Sequence, residues 1–311
     1  MDFKILSMII TPTTLLMVRP QHFGYNSETA ATNTFQQALD IEESSVTELA
    51  IAEYDKAVAQ IRAHGIEVLS YEEDQIEITP DAVFPNNWIG FHPDGKVILY
   101  PMTHENRRKE RDPNIFNFLK NSDHMYSEVI DLSEYENSDL FLEGTGSMVF
   151  DYKNKKVFGC ISPRTSIQLF NKVADILDVR PVSFTGFDLQ GKQIYHTNVI
   201  LTITEKLAII CLDAIENLME RTFVKMQLED SGLEIISISY SQVNQFAGNL
   251  FEVKNKSGVS YLIGSESAWG AFTKEQLEII LKYHQPLKLA IPTIEKVGGG
   301  SARCMMAGVY F

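Results

Sequence analysis

Cysteine is scarce in this chain: only Cys160, Cys211 and Cys304 occur in 311 residues, widely spaced and without a C-x-x-C pair. That excludes a disulfide framework and makes a zinc site unexpected. Basic residues are also few, with 27 Lys and Arg against 41 Asp and Glu and a formal charge of -14. No Lys/Arg stripe reverses the balance locally, so a phosphate backbone would be repelled and no nucleic-acid partner is expected. Missing too is any apolar run of the roughly 18 residues that a spanning helix needs. No membrane partner is expected either. Residues 1–17 are fairly apolar, yet Asp2 spoils a basic start, Pro12 interrupts the run and no small-residue cleavage site follows clearly. The segment reads as a lead-in to the first strand of a soluble, cytoplasmic protein.

What the chain has is ample apolar material, 44% of its residues, and a repeat of architecture with a period of about 50 to 60 residues. Length alone allows two average domains or one large one. Five units appear, each reading strand, turn, strand, helix, strand. One runs through 86–91, a Pro93-Asp94-Gly95 turn, 96–100, a charged helical stretch at 107–120 and a strand at 127–131. Asp-Gly between alternating apolar residues is a hairpin signal. The next uses 147–150, 156–160, a helix at 165–177 and 181–184. The third uses 197–201, 207–211, a helix at 216–228 and 233–237. The fourth uses 249–253, 261–263, a helix at 274–283 and 286–291. The fifth must be assembled from both ends: 304–310, 14–19, a helix at 30–64 and 66–70. The acidic stretch 40–77 reads as a solvated helix face. Such units cannot bury their faces alone, so they should stack around a common axis with the chain ends pairing to close the ring. The expectation is a single α/β domain spanning 1–311.

Residues just before each first strand would then meet near the axis, and they are unusual. They are 84–88 with Asn86 and Asn87, 142–147 with Glu143, 195–198 with His196 and Asn198, 246–249, and the run Gly298-Gly299-Gly300-Ser301-Ala302-Arg303-Cys304. Polar residues and glycines replace the apolar residues expected there, which points to a lined pocket with close backbone approach. These segments resemble the guanidino-group-modifying enzymes over essentially the whole chain. The specific elements are the glycine-rich stretch ending Cys304-Met305, Leu142-Glu143-Gly144, and His196-Thr197-Asn198, each heading a unit. The resemblance implies a five-bladed pseudo-symmetric α/β propeller, the pentein fold, built of ββαβ units. The family includes arginine deiminases, dimethylarginine hydrolases and amidinotransferases, and this chain looks most similar to a branch that hydrolyses citrulline.

By that resemblance Cys304 is the nucleophile that attacks the central carbon of the guanidino or ureido group. His196 is the acid and base that serves the departing nitrogen and the incoming water, with an ordinary pKa near 6.5 suited to both tasks. Glu143 is the carboxylate that orients it. The other histidines, at 22, 64, 92, 104, 124 and 284, head no unit and read as surface or structural residues; Cys160 and Cys211 fall on second strands and read as core. Arg164, in Ser162-Pro163-Arg164-Thr165, resembles the clamp for a substrate carboxylate. Where family members that bind guanidinium usually have aspartates, this chain has Asn87 and, two positions after the histidine, Asn198. A buried site without both anions should hold a cation poorly, at a cost of about 3 to 5 kcal/mol. Citrulline, cleaved to ornithine, ammonia and carbon dioxide, is therefore the expected substrate, with Asn86, Asn87, Asn198 and Arg164 binding it. No cofactor and no metal is implied. An arginine-derivative hydrolase or an amidinotransferase is the alternative within enzymes. A ribosome-binding propeller factor is the non-enzyme alternative, disfavoured by acidic charge. A homo-oligomer is left open.

Overall fold

The computed structural model describes residues 9–40, 42–73 and 77–311. The lead-in expected at 1–17 therefore lies outside the described residues over 1–8, and the acidic stretch 40–77 does so at 41 and 74–76. Among the described residues fifteen strands and five main helices follow in order: β1 (Thr14–Val18), α1 (Glu43–Ala63), β2 (Glu67–Tyr71), β3 (Ile89–Phe91), β4 (Lys96–Leu99), α2 (Ile115–Asn121), β5 (Glu128–Asp131), β6 (Met148–Asp151), β7 (Lys156–Cys160), α3 (Ile167–Ile176), β8 (Arg180–Phe184), β9 (Leu201–Ile203), β10 (Leu207–Ile210), α4 (Leu218–Asp230), β11 (Glu234–Ser237), β12 (Phe251–Lys254), β13 (Ser260–Ser265), α5 (Lys274–Leu281), β14 (Gln285–Leu289) and β15 (Ala307–Val309).

They form five three-stranded sheets, ordered β3-β4-β5, β6-β7-β8, β9-β10-β11, β12-β13-β14 and β15-β1-β2. In each, a hairpin or chain-end pairing joins the first two strands antiparallel, and a helical crossover returns the third strand parallel to the second. The two chain ends meet in one sheet, Thr14 opposite Val309 and Leu16 opposite Ala307. Middle strands β1, β7 and β10 are buried throughout, which is why they read as unbroken apolar runs. Third strands are edges. Two of them carry proline, Pro181 in β8 and Pro286 in β14, where an edge loses no ladder bond by lacking an N–H. Helix α1 buries Val46, Ala50, Tyr54, Ala57, Val58 and Ile61, a stripe at helical spacing that packs on the β1 sheet.

Three expectations need correction. Helix was expected over 30–64, yet among the described residues only a single turn at Ser27–Ala30 and α1 are helical there. Between them Asn33 Oδ1 accepts from the Phe35 amide, a local bond that competes with helix. The helical stretch at 107–120 divides into Glu105–Arg108 and α2, with Pro113 between. Most consequentially, the first strands expected from 86, 197 and 304 begin later, at Ile89, Leu201 and Ala307. Pro85–Asn87, Gly144–Ser147, Thr197–Val199 and Ala302–Met305 are short helical turns, and the strand begins after each.

Candidate active site

Those four turns and the residues beside them hold the candidate site. The turn at 85–87 packs against those at 144–147 and 302–305, and the one at 144–147 also packs against 197–199. Two glycines permit this. Gly144 has φ 47°, and a Cβ on it would sit 2.2 Å from the Asn86 carbonyl oxygen. A Cβ on Gly146 would sit 2.4 Å from Asn87 Nδ2 and 2.8 Å from His196 Nδ1. Only bare backbone lets the amide and the imidazole come this close to the turn.

His196 Nε2 donates to Glu143 Oε2 at 2.8 Å, which leaves Nδ1 as the accepting nitrogen. Glu143 is fully buried; its Oε1 accepts from the Thr103 amide at 3.1 Å and its Oε2 also faces Arg164 Nη1 at 3.4 Å. Burial by itself would raise its carboxyl, but the Arg164 charge and the His196 hydrogen bond outweigh it and hold the group well below the usual carboxylate range. Burial pushes His196 down to about 4 against the opposing pull of Glu143, so the ring is neutral at neutral pH. Cys304 is buried, with two amides on its sulfur: Asn198 Nδ2 at 3.5 Å and Asn249 Nδ2 at 3.4 Å. Cys160 and Cys211 are buried in an apolar cluster, and burial pushes the Cys160 thiol up to about 12.

Cys304 and His196 line one small cavity of about 300 Å³ together with Asp81, Asn87, Arg107 and Arg164. Larger depressions exist elsewhere on the chain, but neither touches the cysteine. Asn87 Oδ1 accepts from Arg107 Nη1 at 2.8 Å, and its Nδ2 has no partner among the described residues. Arg164 stacks on Tyr195 at 4.8 Å and donates to the Thr29 carbonyl and Thr32 hydroxyl. Asn86 stands behind the cavity rather than on it, its Nδ2 donating to Thr145 Oγ1 at 3.3 Å. Asn198 likewise reaches the site only through the sulfur. Among the described residues no three His, Cys, Asp or Glu side chains gather as a metal site.

Sequence reading missed Asp81, Arg107 and Asn249. Asp81 Oδ2 accepts from Asn26 Nδ2 at 2.7 Å, while Oδ1 is buried without a partner. Burial raises its carboxyl, opposed chiefly by Arg107. Arg107 is gripped by Glu110 through two bonds of 2.8 and 2.9 Å. A usable signal existed: Asp81 opens the apolar run Ala82-Val83-Phe84, where a carboxylate is out of place. The inference that the site lacks anions is thereby corrected, since Asp81 lines the cavity and Glu143 stands one imidazole behind it.

Five small mixed sheets with a cysteine, a histidine and a buried carboxylate gathered on the turns ahead of their first strands define a guanidino-group-modifying α/β protein. Residues 19–311 match the family described as N,N dimethylarginine dimethylhydrolase, eukaryotic, and the chain belongs to that family of cysteine-dependent guanidino hydrolases. Among solved structures it is similar to apo ArgZ, an arginine dihydrolase from the ornithine-ammonia cycle in Cyanobacteria, with a TM-score of 0.74 and 18% identity. The likeness covers 95% of this chain and 40% of ArgZ, so the chain spans well under half of that protein. The complex of AgrE with L-arginine gives 0.72 at 18% identity, over 95% of this chain and 40% of AgrE. A dimethylarginine dimethylaminohydrolase adduct with S-methyl-L-thiocitrulline gives 0.64 at 12% identity, over 96% of this chain and 99% of that one. No curated protein matches the chain by sequence. Among the described residues no helix is long and apolar enough to cross a membrane.

Proposed function

We propose that this chain, one domain closed as a five-bladed propeller, hydrolyses a carbon-nitrogen bond of arginine or an Nω-substituted arginine through a covalent Cys304 adduct. Neutral His196 accepts the Sγ proton at Nδ1, the thiolate bonds to the guanidinium carbon, and the proton passes to the amine as its bond to carbon breaks. Water then adds to the same carbon and the carbon–sulfur bond breaks. The thiol is restored, and the remaining proton is the one the released amine takes up. Glu143 holds the imidazole tautomer. Arg107 and Arg164 suit a substrate carboxylate, and Asp81 suits an ammonium or guanidinium.

The observation that carries this reading is the shared cavity of Cys304, His196 and Asp81: nucleophile, base and a buried carboxylate with an unpaired oxygen. That oxygen favours a cationic substrate over citrulline, and proteins of similar fold bind arginine or act on it. A second reading keeps the ureido substrate as a subsequent step. Asn198 and Asn249 put neutral amides on the sulfur, where a ureido group could be held without charge. The test is to incubate purified protein separately with arginine, Nω,Nω-dimethylarginine and citrulline, and to quantify citrulline, ornithine, dimethylamine and ammonia. Citrulline formed from a guanidinium substrate is the expected result, and further ornithine would support the second reading. Turnover of citrulline alone would overturn the preference for a cation.

A further inference from the structure

Behind the catalytic cavity lies a second one of about 840 Å³, partly open to solvent, lined by the first strands of all five sheets. Asn198 forms part of its wall, and the same side chain places Nδ2 3.5 Å from Cys304 Sγ. Thr145 is also in that wall and bonds Asn86, whose neighbour Asn87 lines the catalytic cavity. One layer of amides thus separates the two spaces. Within it Asn86 Oδ1, Asn198 Oδ1 and Asn87 Nδ2 are buried without a partner among the described residues. Buried acceptors and donors left open in this way are the groups that ordered water satisfies. On the other side the catalytic cavity is walled by Asn33, Tyr195 and residues 298–300, which are tied together: Asn33 Nδ2 donates to the Gly298 and Gly299 carbonyls, and Tyr195 Oη to Asn33 Oδ1 at 3.0 Å.

We propose that the water resolving the Cys304 adduct comes from the cavity between the first strands, past Asn198. This rests on the covalent hydrolysis proposed above. Asn198 both lines the rear cavity and donates to the sulfur, and the unpartnered atoms of Asn86, Asn87 and Asn198 offer water a polar path through the layer between them. Arg303 lines the rear cavity with its guanidinium over the Phe251 ring at 4.2 Å and on the Met306 carbonyl at 2.7 Å, and with no carboxylate partner among the described residues. A positive charge there admits water while disfavouring ammonium and guanidinium. In the resolving step water oxygen bonds to the amidino carbon and the carbon–sulfur bond breaks. One proton goes to sulfur, by way of His196, and one is released.

The test fills the rear cavity without touching the catalytic groups. Val149 and Ile203 are half-buried residues of its wall, on different sheets. Graded variants Val149→Ile, Val149→Phe and Ile203→Phe are mixed with substrate, and the Cys304 adduct is followed by quenched-flow mass spectrometry beside product release. Expected is adduct formation at close to the unaltered rate, with release slowed about tenfold or more as bulk increases and adduct accumulating. Unchanged release in a folded Phe variant whose crystal structure shows the cavity filled would overturn the route. Equal slowing of formation and release would also overturn it, since that marks general distortion. Absence of any adduct and any turnover in the unaltered protein would overturn the catalytic reading of Cys304, a result distinct from either.

Discussion

Glu143 serves two neighbours at once, an imidazole it orients and a guanidinium it neutralises, so removing its charge should cost more than one hydrogen bond. Glu143→Gln is expected to lower kcat about 10²- to 10⁴-fold with smaller effect on KM, because the His196 tautomer is no longer enforced. Steady-state kinetics on whichever of arginine, Nω,Nω-dimethylarginine and citrulline is turned over checks this, and a loss under tenfold would remove Glu143 from the proposed mechanism. Because burial brings His196 to about 4, its Nδ1 becomes protonated only as pH falls through that value. The acid limb of kcat/KM should lie near 4 and not near the ordinary 6.5. A profile from pH 4 to 9 decides it. The unfolded chain takes up this proton first, around 6.5, so the His196 contribution to stability is present above that pH and is lost as pH falls toward 4. Gly146→Ala forces a Cβ onto Asn87 and His196 and should destabilise by about 1 to 3 kcal/mol while abolishing most activity. Normal turnover in that variant would mean that the turn relaxes freely.

Among the elements, the short helical turns at the unit heads matter more than the strands they precede. A strand would alternate its side chains between two faces, whereas a tight turn gathers neighbouring residues toward one cavity. The helices behind the sheets have a supporting role that can be separated from catalysis. Asn217 caps α4, its Oδ1 accepting from the Met219 and Glu220 amides at 2.9 and 3.3 Å. Asn217→Ala should lower stability by about 1 kcal/mol in urea denaturation and leave kcat/KM unchanged. An equal loss of both would mean that α4 positions the site. The same accounting explains why the helix expected over 30–64 stops short. The side chain of Asn33 is committed to its own backbone and to the Gly298 and Gly299 carbonyls, and residues so engaged are poor helix interiors.

Across the whole molecule buried acids make stability depend on pH. Burial raises Glu73 to about 7, partly opposed by the hydrogen bond from Thr79. Its folded pKa lies above the unfolded 4.5, so the stability it contributes is present below that pH and is lost as pH rises through 7. Glu73→Gln should therefore raise Tm at pH 8 and leave it nearly unchanged at pH 4.5; equal shifts at both would assign the effect to packing. The five-unit order, the chain-end pairing and the heads carrying Cys304, His196 and Glu143 were legible in the linear chain. Strand periodicity is local, and the glycine run ahead of Cys304 stands out in the sequence; in the fold Gly298 and Gly300 also make room for the Phe84 ring, which a Cβ on either would meet at 2.7 and 2.9 Å. What only tertiary structure decided is the pocket's charge and the facing of its amides. Asn249 meets Cys304 across 55 residues and Asn33 meets Gly298 across 265. Asp81 enters the cavity from a turn and Arg107 from the single helical turn Glu105–Arg108, and no periodicity aims either side chain there. Local pattern follows from neighbouring residues, whereas the electrostatics of a site are a sum over groups that only the folded chain brings within reach of one another.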